Sequence, residues 1–173
     1  MIRNRIAGTM LVGLMTALMG TLFVQPAQAA TGYYEIVNLG SGKCAEVDRF
    51  GAPYGNGGLV VQRTCDGADV QRWSPGGSGP YTFVNRASGL CMDVRDGVNA
   101  DATPVQQWAC TGTTSMKWNI NPNSFTGVHQ ITSQIGGRCL DVRSGSGADG
   151  AQIQIYHCTG FGNSAQVWSF VPA

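Results

Sequence analysis

From Tyr33 onward the apolar residues recur every second position, in short runs such as Tyr34-Glu35-Ile36-Val37-Asn38 and Tyr81-Thr82-Phe83-Val84-Asn85. A period of two belongs to strands. No ten-residue window in this part of the chain is both helically periodic and free of Gly, Pro or Asn clusters, so helices are not expected. The runs are separated by turn chemistry such as Gly40-Ser41-Gly42-Lys43, Gly55-Asn56-Gly57-Gly58 and Ser144-Gly145-Ser146-Gly147.

The first residues follow a different rule. Arg3 and Arg5 precede an uncharged run from Ile6 to Val24, and Ala27-Gln28-Ala29 supplies small residues for a signal peptidase. Residues 1–29 are therefore expected to be a cleaved secretion signal, and residues 30–173 a single secreted, extracellular domain.

Comparing the chain with itself is the most informative step. Cys44, Cys91 and Cys139 lie 47 and 48 residues apart, and each is followed by a second cysteine, Cys65, Cys110 or Cys158, after 21, 19 and 19 positions. Ala45-Glu46-Val47, Met92-Asp93-Val94 and Leu140-Asp141-Val142 follow the first cysteines, and each unit closes on a tryptophan at 73, 118 or 168. The units run from about 33 to 75, 81 to 120 and 128 to 171. About four strands in each of three units predict an all-β fold of twelve strands, the number of a β-trefoil.

The cysteines and charges narrow the chemistry. An even set of six in a chain bound for an oxidising compartment predicts disulfides, and the repetition favours one per unit: Cys44 with Cys65, Cys91 with Cys110, Cys139 with Cys158. Without Cys-x-x-Cys pairs, and with His129 and His157 as the only histidines, no metal and no cofactor is expected. Removing the signal leaves nine basic against ten acidic residues, which argues against nucleic acid, or a membrane after signal cleavage, as partner.

Trp73, Trp118 and Trp168 recur at the unit ends and are assigned to the core. Trp108 stands outside that register. The threefold combination of Cys-x-Asp-Val, Gln-x-aromatic-x-Cys and Gln-x-Trp resembles the ricin-B-type β-trefoil lectins and related carbohydrate-binding modules, from Tyr33 to Phe170. That resemblance implies a sugar on the outer face of a unit, held by the Asp after the first cysteine and the aromatic two before the second. It points to Asp93, Gln106 and Trp108 in the second unit, and to Asp141, Gln154, Tyr156 and Gln166 in the third. Galactose- or xylose-type glycans are the implied partners. The family's Asn before Gln-x-Trp is absent: Val70, Ser115 and Ala165 stand there, and Met116 replaces the Gln of the second unit. In the third, Asn163 is a candidate substitute, with a plain loop asparagine as the favoured reading.

A register argument reaches the same faces. If Cys91 lies opposite Cys110, then Asp93 faces Trp108, and by the same rule Asp141 faces Tyr156. In the first unit the rule sets Glu46 against Arg63, with Val61 in place of the glutamine, so this unit is expected to be structural. A carboxylate accepts from neighbouring hydroxyls while a ring covers the apolar face of a sugar.

An enzyme is not expected: the mature part has only Glu35 and Glu46 as glutamates, and it lacks Gly-x-Ser-x-Gly and His-Glu-x-x-His. A β-trefoil protease inhibitor, a protein-binding ligand and the targeting partner of a separate enzyme or toxin remain as alternatives.

Overall fold

The computed structural model describes residues 32–51, 55–124 and 126–173, so residues 1–29, expected to be a secretion signal, lie outside the described residues. Each unit contributes four strands. The first has β1 (Tyr34–Asn38), β2 (Cys44–Val47), β3 (Val60–Arg63) and β4 (Arg72–Gly76). The second has β5 (Thr82–Asn85), β6 (Cys91–Val94), β7 (Thr103–Trp108) and β8 (Trp118–Pro122). The third has β9 (His129–Ser133), β10 (Cys139–Val142), β11 (Ala151–Tyr156) and β12 (Trp168–Pro172). Among the described residues there is no α-helix, only single 3₁₀ turns.

The outer strands of the units close a ring. β1 pairs with β12 and β4, β4 with β5, β8 with β9, and β9 with β12. A bridge between Tyr81 and Trp118 completes the circle. The inner hairpins β2–β3, β6–β7 and β10–β11 cap the ring and meet through β11, which pairs with both β3 and β7. This is a β-trefoil, with its sheet edges consumed by closure.

Burial explains the sequence of the cap strands. β2, β6 and β10 are buried at all four positions. Ala45, Val47, Met92, Val94, Leu140 and Val142 face the common core, whereas the cysteines and acids between them face an outer layer of turns. Trp73, Trp118 and Trp168 are fully buried, as their recurrence predicted. Each indole N–H donates to a cap-strand carbonyl: Ala45 at 2.9 Å, Met92 at 3.2 Å and Leu140 at 3.0 Å. The ring is thereby tied to the cap in every unit.

Gln152 breaks the threefold symmetry at the axis. Its Nε2 lies 2.9 Å from the carbonyl of Val60, 2.6 Å from that of Ile153 and 3.4 Å from that of Val105, one from each unit. Gln152→Leu leaves these acceptors without their donor, and is expected to cost about 1 to 3 kcal/mol of stability in chemical denaturation. A loss under roughly 0.5 kcal/mol would show that the carbonyls find other partners.

The three disulfides are those the repeat predicted, with Cα separations of 5.1, 5.2 and 5.2 Å. The register built on them is corrected. Trp108, not Cys110, lies opposite Cys91, and Tyr156 lies opposite Cys139. Asp93 therefore faces Gln106, Asp141 faces Gln154, and Glu46 faces Val61. Each second cysteine lies beyond the end of its strand, Cys65 half-buried and Cys110 and Cys158 exposed, while the first is buried within the sheet. The bridge joins a strand to a loop instead of two facing residues, so the true register differs by two. A shift of two preserves the faces, and the candidate residues still share one side of the hairpin.

Candidate functional site

In the second unit, Asp93 of β6 and Gln106 of β7 line a shallow cleft of about 470 Å³ with Trp108. Gln106 Nε2 donates to Asp93 Oδ2 at 2.8 Å, and Arg95 Nε donates to Gln106 Oε1 at 3.2 Å. Asp93 and Gln106 are buried except for the part that meets the cleft, at 5% and 3% exposure, while Trp108 is 40% exposed. An indole left open beside a carboxylate is an available plate, not a packing element. The 3₁₀ turns Arg95–Gly97 and Thr114–Met116 form the rim, and Ile135 reaches in from the third unit.

The third unit repeats the arrangement, with a cleft of about 470 Å³ lined by Asp141, Gln154 and Tyr156. Gln154 Nε2 donates to Asp141 Oδ1 at 2.8 Å, and Gln166 Nε2 donates to Asp141 Oδ2 at 3.2 Å. Gln166 is fully buried and also donates to the His157 carbonyl, so it holds Asp141 in place from behind. It belongs to the support of the site, not its wall. Asn163 lines the cleft, but its side chain caps the Ser164–Gln166 turn by accepting from Ala165 N at 3.2 Å and donating to Thr159 Oγ1 at 2.9 Å. Buried Gln154 Oε1 has no partner. An acceptor in that state is costly unless a donor arrives.

The first unit keeps the position and loses the cleft chemistry. Glu46 is fully buried, and its Oε1 accepts from Arg63 Nε at 2.9 Å and Arg49 Nε at 3.2 Å. Its Oε2 accepts from Arg49 Nη2 at 2.6 Å and Gln71 Nε2 at 2.9 Å. The expected ion pair with Arg63 thus forms, diagonally from the position opposite Cys44. Arg49, which the sequence reading did not single out, completes the saturation. Phe50 is occupied beneath the Arg63 guanidinium, 4.7 Å from it.

A cyclic clasp between units was also missed. Asn56 accepts from Ala109 N at 2.8 Å, Asp101 from His157 N at 2.8 Å, and Asp149 from Thr64 N at 2.9 Å. The three acceptors each stand nine residues before the second cysteine of their unit, a signal that the spacing already contained. Hydrogen bonding from His157, with Arg138 in support, holds the Asp101 carboxyl below its ordinary range. The clasp seats one unit beside the next unit's aromatic, the His157 ring lying 4.5 Å from that of Tyr156 and tilted by 37°.

Burial acts in the opposite sense on Asp141, raising its pKa above the ordinary 3.8 against the hydrogen bonds from Gln154 and Gln166. Its charged form is therefore lost on acidification sooner than that of a surface aspartate.

The family profile of ricin-type β-trefoil lectin-like domains matches residues 22–108, 74–156 and 114–173, three overlapping matches that together span all three repeats. The chain belongs to the ricin-type β-trefoil lectin-like family. Among solved structures, this lectin-like chain is similar to the designed threefold-symmetric protein ThreeFoil, at 31% identity and a TM-score of 0.75, over 81% of this chain and 98% of that one. It is similar to part of an exo-β-1,3-galactanase from Clostridium thermocellum, at 29% identity and a TM-score of 0.72, over 84% of this chain but only 31% of the enzyme. The ricin B-like lectin of Macrolepiota procera, solved in complex with lactose, shares the fold with a TM-score of 0.71 at 17% identity, over 84% of this chain and 99% of that one. Nothing among curated proteins matches the chain.

Proposed function

We propose that this protein is a secreted, non-catalytic carbohydrate-binding protein with one shallow sugar site in the second unit and one in the third. The observation that carries the reading is the contrast between units. Two clefts each bring together a carboxylate, a glutamine and an accessible ring, while the equivalent carboxylate of the first unit is saturated by two arginines and a glutamine. The carboxylates accept from sugar hydroxyls, and the rings cover C–H faces. Lactose in the Macrolepiota lectin supports a neutral, galactose-type ligand for at least one site. The similarity to a minor part of a galactanase supports a second use, as the targeting partner of an enzyme.

Calorimetric titration with monovalent sugars tests the reading. The expected stoichiometry is near two, and absence of binding to any sugar of a broad panel would overturn it. Secretion has its own check. Mass analysis of the exported protein should find Ala30 at the N-terminus, and an intact Ile6–Val24 run would contradict the proposed cleavage.

Binding at the third unit should depend on pH through Asp141. A ligand hydroxyl that donates to the carboxylate favours its charged form, so affinity rises with pH through the raised value and falls in acid before an ordinary carboxylate would protonate. Stability moves oppositely: because the folded pKa is raised, this group's contribution to folding is most favourable in acid and is lost as pH rises through it. Titrating sugar into Trp108→Ala, which isolates the third-unit site, at neutral pH and near pH 4 checks the sign; unchanged affinity would remove Asp141 from the ligand contacts.

A further inference from the structure

The two clefts share an architecture and differ in charge. In the second unit Asp93 and Asp96 both line the cleft, and Arg95 is drawn aside onto Gln106. Ser144 replaces Asp96 in the third unit, and Arg143 lines the cleft beside Asp141. The walls thus carry two acids in one case, and an acid balanced by a base in the other.

Arg143 is also the one lysine or arginine among the described residues whose charged group has no hydrogen-bond or ion-pair partner. Arg49, Arg63, Arg72, Arg86, Arg138 and Lys43 pair with acids, Arg95 bonds Gln106, and Lys117 bonds Thr82. In a chain this sparing with charge, an unpaired guanidinium on a cleft wall is notable for its chemistry. The consequence extends to the neighbouring glutamine. Gln106 Oε1 is satisfied by Arg95, whereas Gln154 Oε1 is buried without a donor because Arg143 does not take the equivalent bond. The third cleft therefore presents a planar cation that no protein acceptor engages.

Building on the sugar-site reading, we propose that the third-unit cleft selects glycans bearing a carboxylate, uronic-acid residues in particular, with Arg143 as the residue that reads the acid. A guanidinium matches a carboxylate through two parallel N–H bonds, while sugar hydroxyls donate to Asp141. Asp93 and Asp96 repel the same ligand at the second unit, which takes neutral sugars. Asp101, the acid near this edge, is already paired with Arg138 and His157.

The test uses the two single-site variants, Trp108→Ala for the third-unit site and Tyr156→Ala for the second, titrated with methyl galactoside against methyl galacturonate and methyl glucoside against methyl glucuronate. Each pair differs only at C6. The ratio of uronate to neutral affinity is expected to be about threefold to tenfold higher in Trp108→Ala than in Tyr156→Ala, the scale of one exposed charge-assisted pair. It should shrink with added salt. Adding Arg143→Gln should abolish the excess, Arg143→Lys should restore part of it, and Ser144→Asp should lower it. Equal ratios in the two variants, or a ratio insensitive to Arg143→Gln, would overturn acid selection while leaving the sugar sites standing. If neither variant nor the parent binds any of the four glycosides or a wider panel, the sugar-site reading fails and this proposal with it.

Discussion

Replacing Trp108 and Tyr156 together by alanine is expected to abolish sugar binding and adhesion to polysaccharide while leaving the fold intact. Each cleft is shallow, with one ring and a few hydrogen bonds, which suits a binding free energy on the order of 4 to 6 kcal/mol, or roughly millimolar to tens of micromolar affinity. Such sites hold weakly alone. On a repetitive glycan, engaging both raises avidity by about 10² to 10⁴ when the spacing allows it. Each single substitution should therefore leave a soluble monosaccharide bound at one site, lowering the stoichiometry from two to one, yet release the protein from polysaccharide almost as fully as the double substitution. Folding should survive because Trp108 is 40% exposed and Tyr156 lies at the cleft surface outside the core. Pull-down on an insoluble polysaccharide, beside titration with a monosaccharide, separates the two effects. Unchanged binding in the double variant would place the sites elsewhere.

The residues in that prediction were legible because repetition made them so. Three copies of one unit exposed the cysteine pairs, the buried tryptophans and the odd position of Trp108 without any structure. The pairing register was not legible from the bridges. A disulfide constrains two Cα atoms to lie near one another, and a loop residue past the strand end meets that constraint as well as a facing residue does. Because the error was two positions and strands alternate with period two, the faces were still assigned correctly.

What periodicity could not supply was the third layer. Gln166 lies in the Gln-x-Trp register and reads as a contact, yet the 3₁₀ turn before β12 turns it inward beneath Asp141. Arg49 lies in a turn beyond β2, three residues from Glu46, and no strand pattern predicts that it folds back. The difference between Arg95 and Arg143 is subtler still. Both follow Asp-Val at the same place, and only the geometry of their side chains distinguishes a residue bonded to its glutamine from one left open.

Arg49 and Arg63 together support the largest expected change in stability. Glu46 is fully buried, and three of its four hydrogen bonds come from these two guanidiniums. Removing either arginine leaves the other in place, so the single alanine variants should lose little. Removing both leaves a buried carboxylate with Gln71 alone, and an uncompensated charge of that kind costs about 3 to 5 kcal/mol. Against a total stability of roughly 5 to 15 kcal/mol, the double variant should be at the edge of unfolding. The penalty belongs to the charged form, which distinguishes it from lost packing. Glu46→Gln in the same background should restore most of the loss at neutral pH, because the neutral amide can still bond Gln71. Urea denaturation of the parent, the two single variants, the double variant and its Glu46→Gln derivative at neutral pH measures both effects. If the double variant lost less than about 1 kcal/mol, Glu46 would be reached by water and the first unit would have a usable acceptor after all. If the loss were large but untouched by Glu46→Gln, its cause would be the packing of the arginine stems, Phe50 beneath Arg63 included.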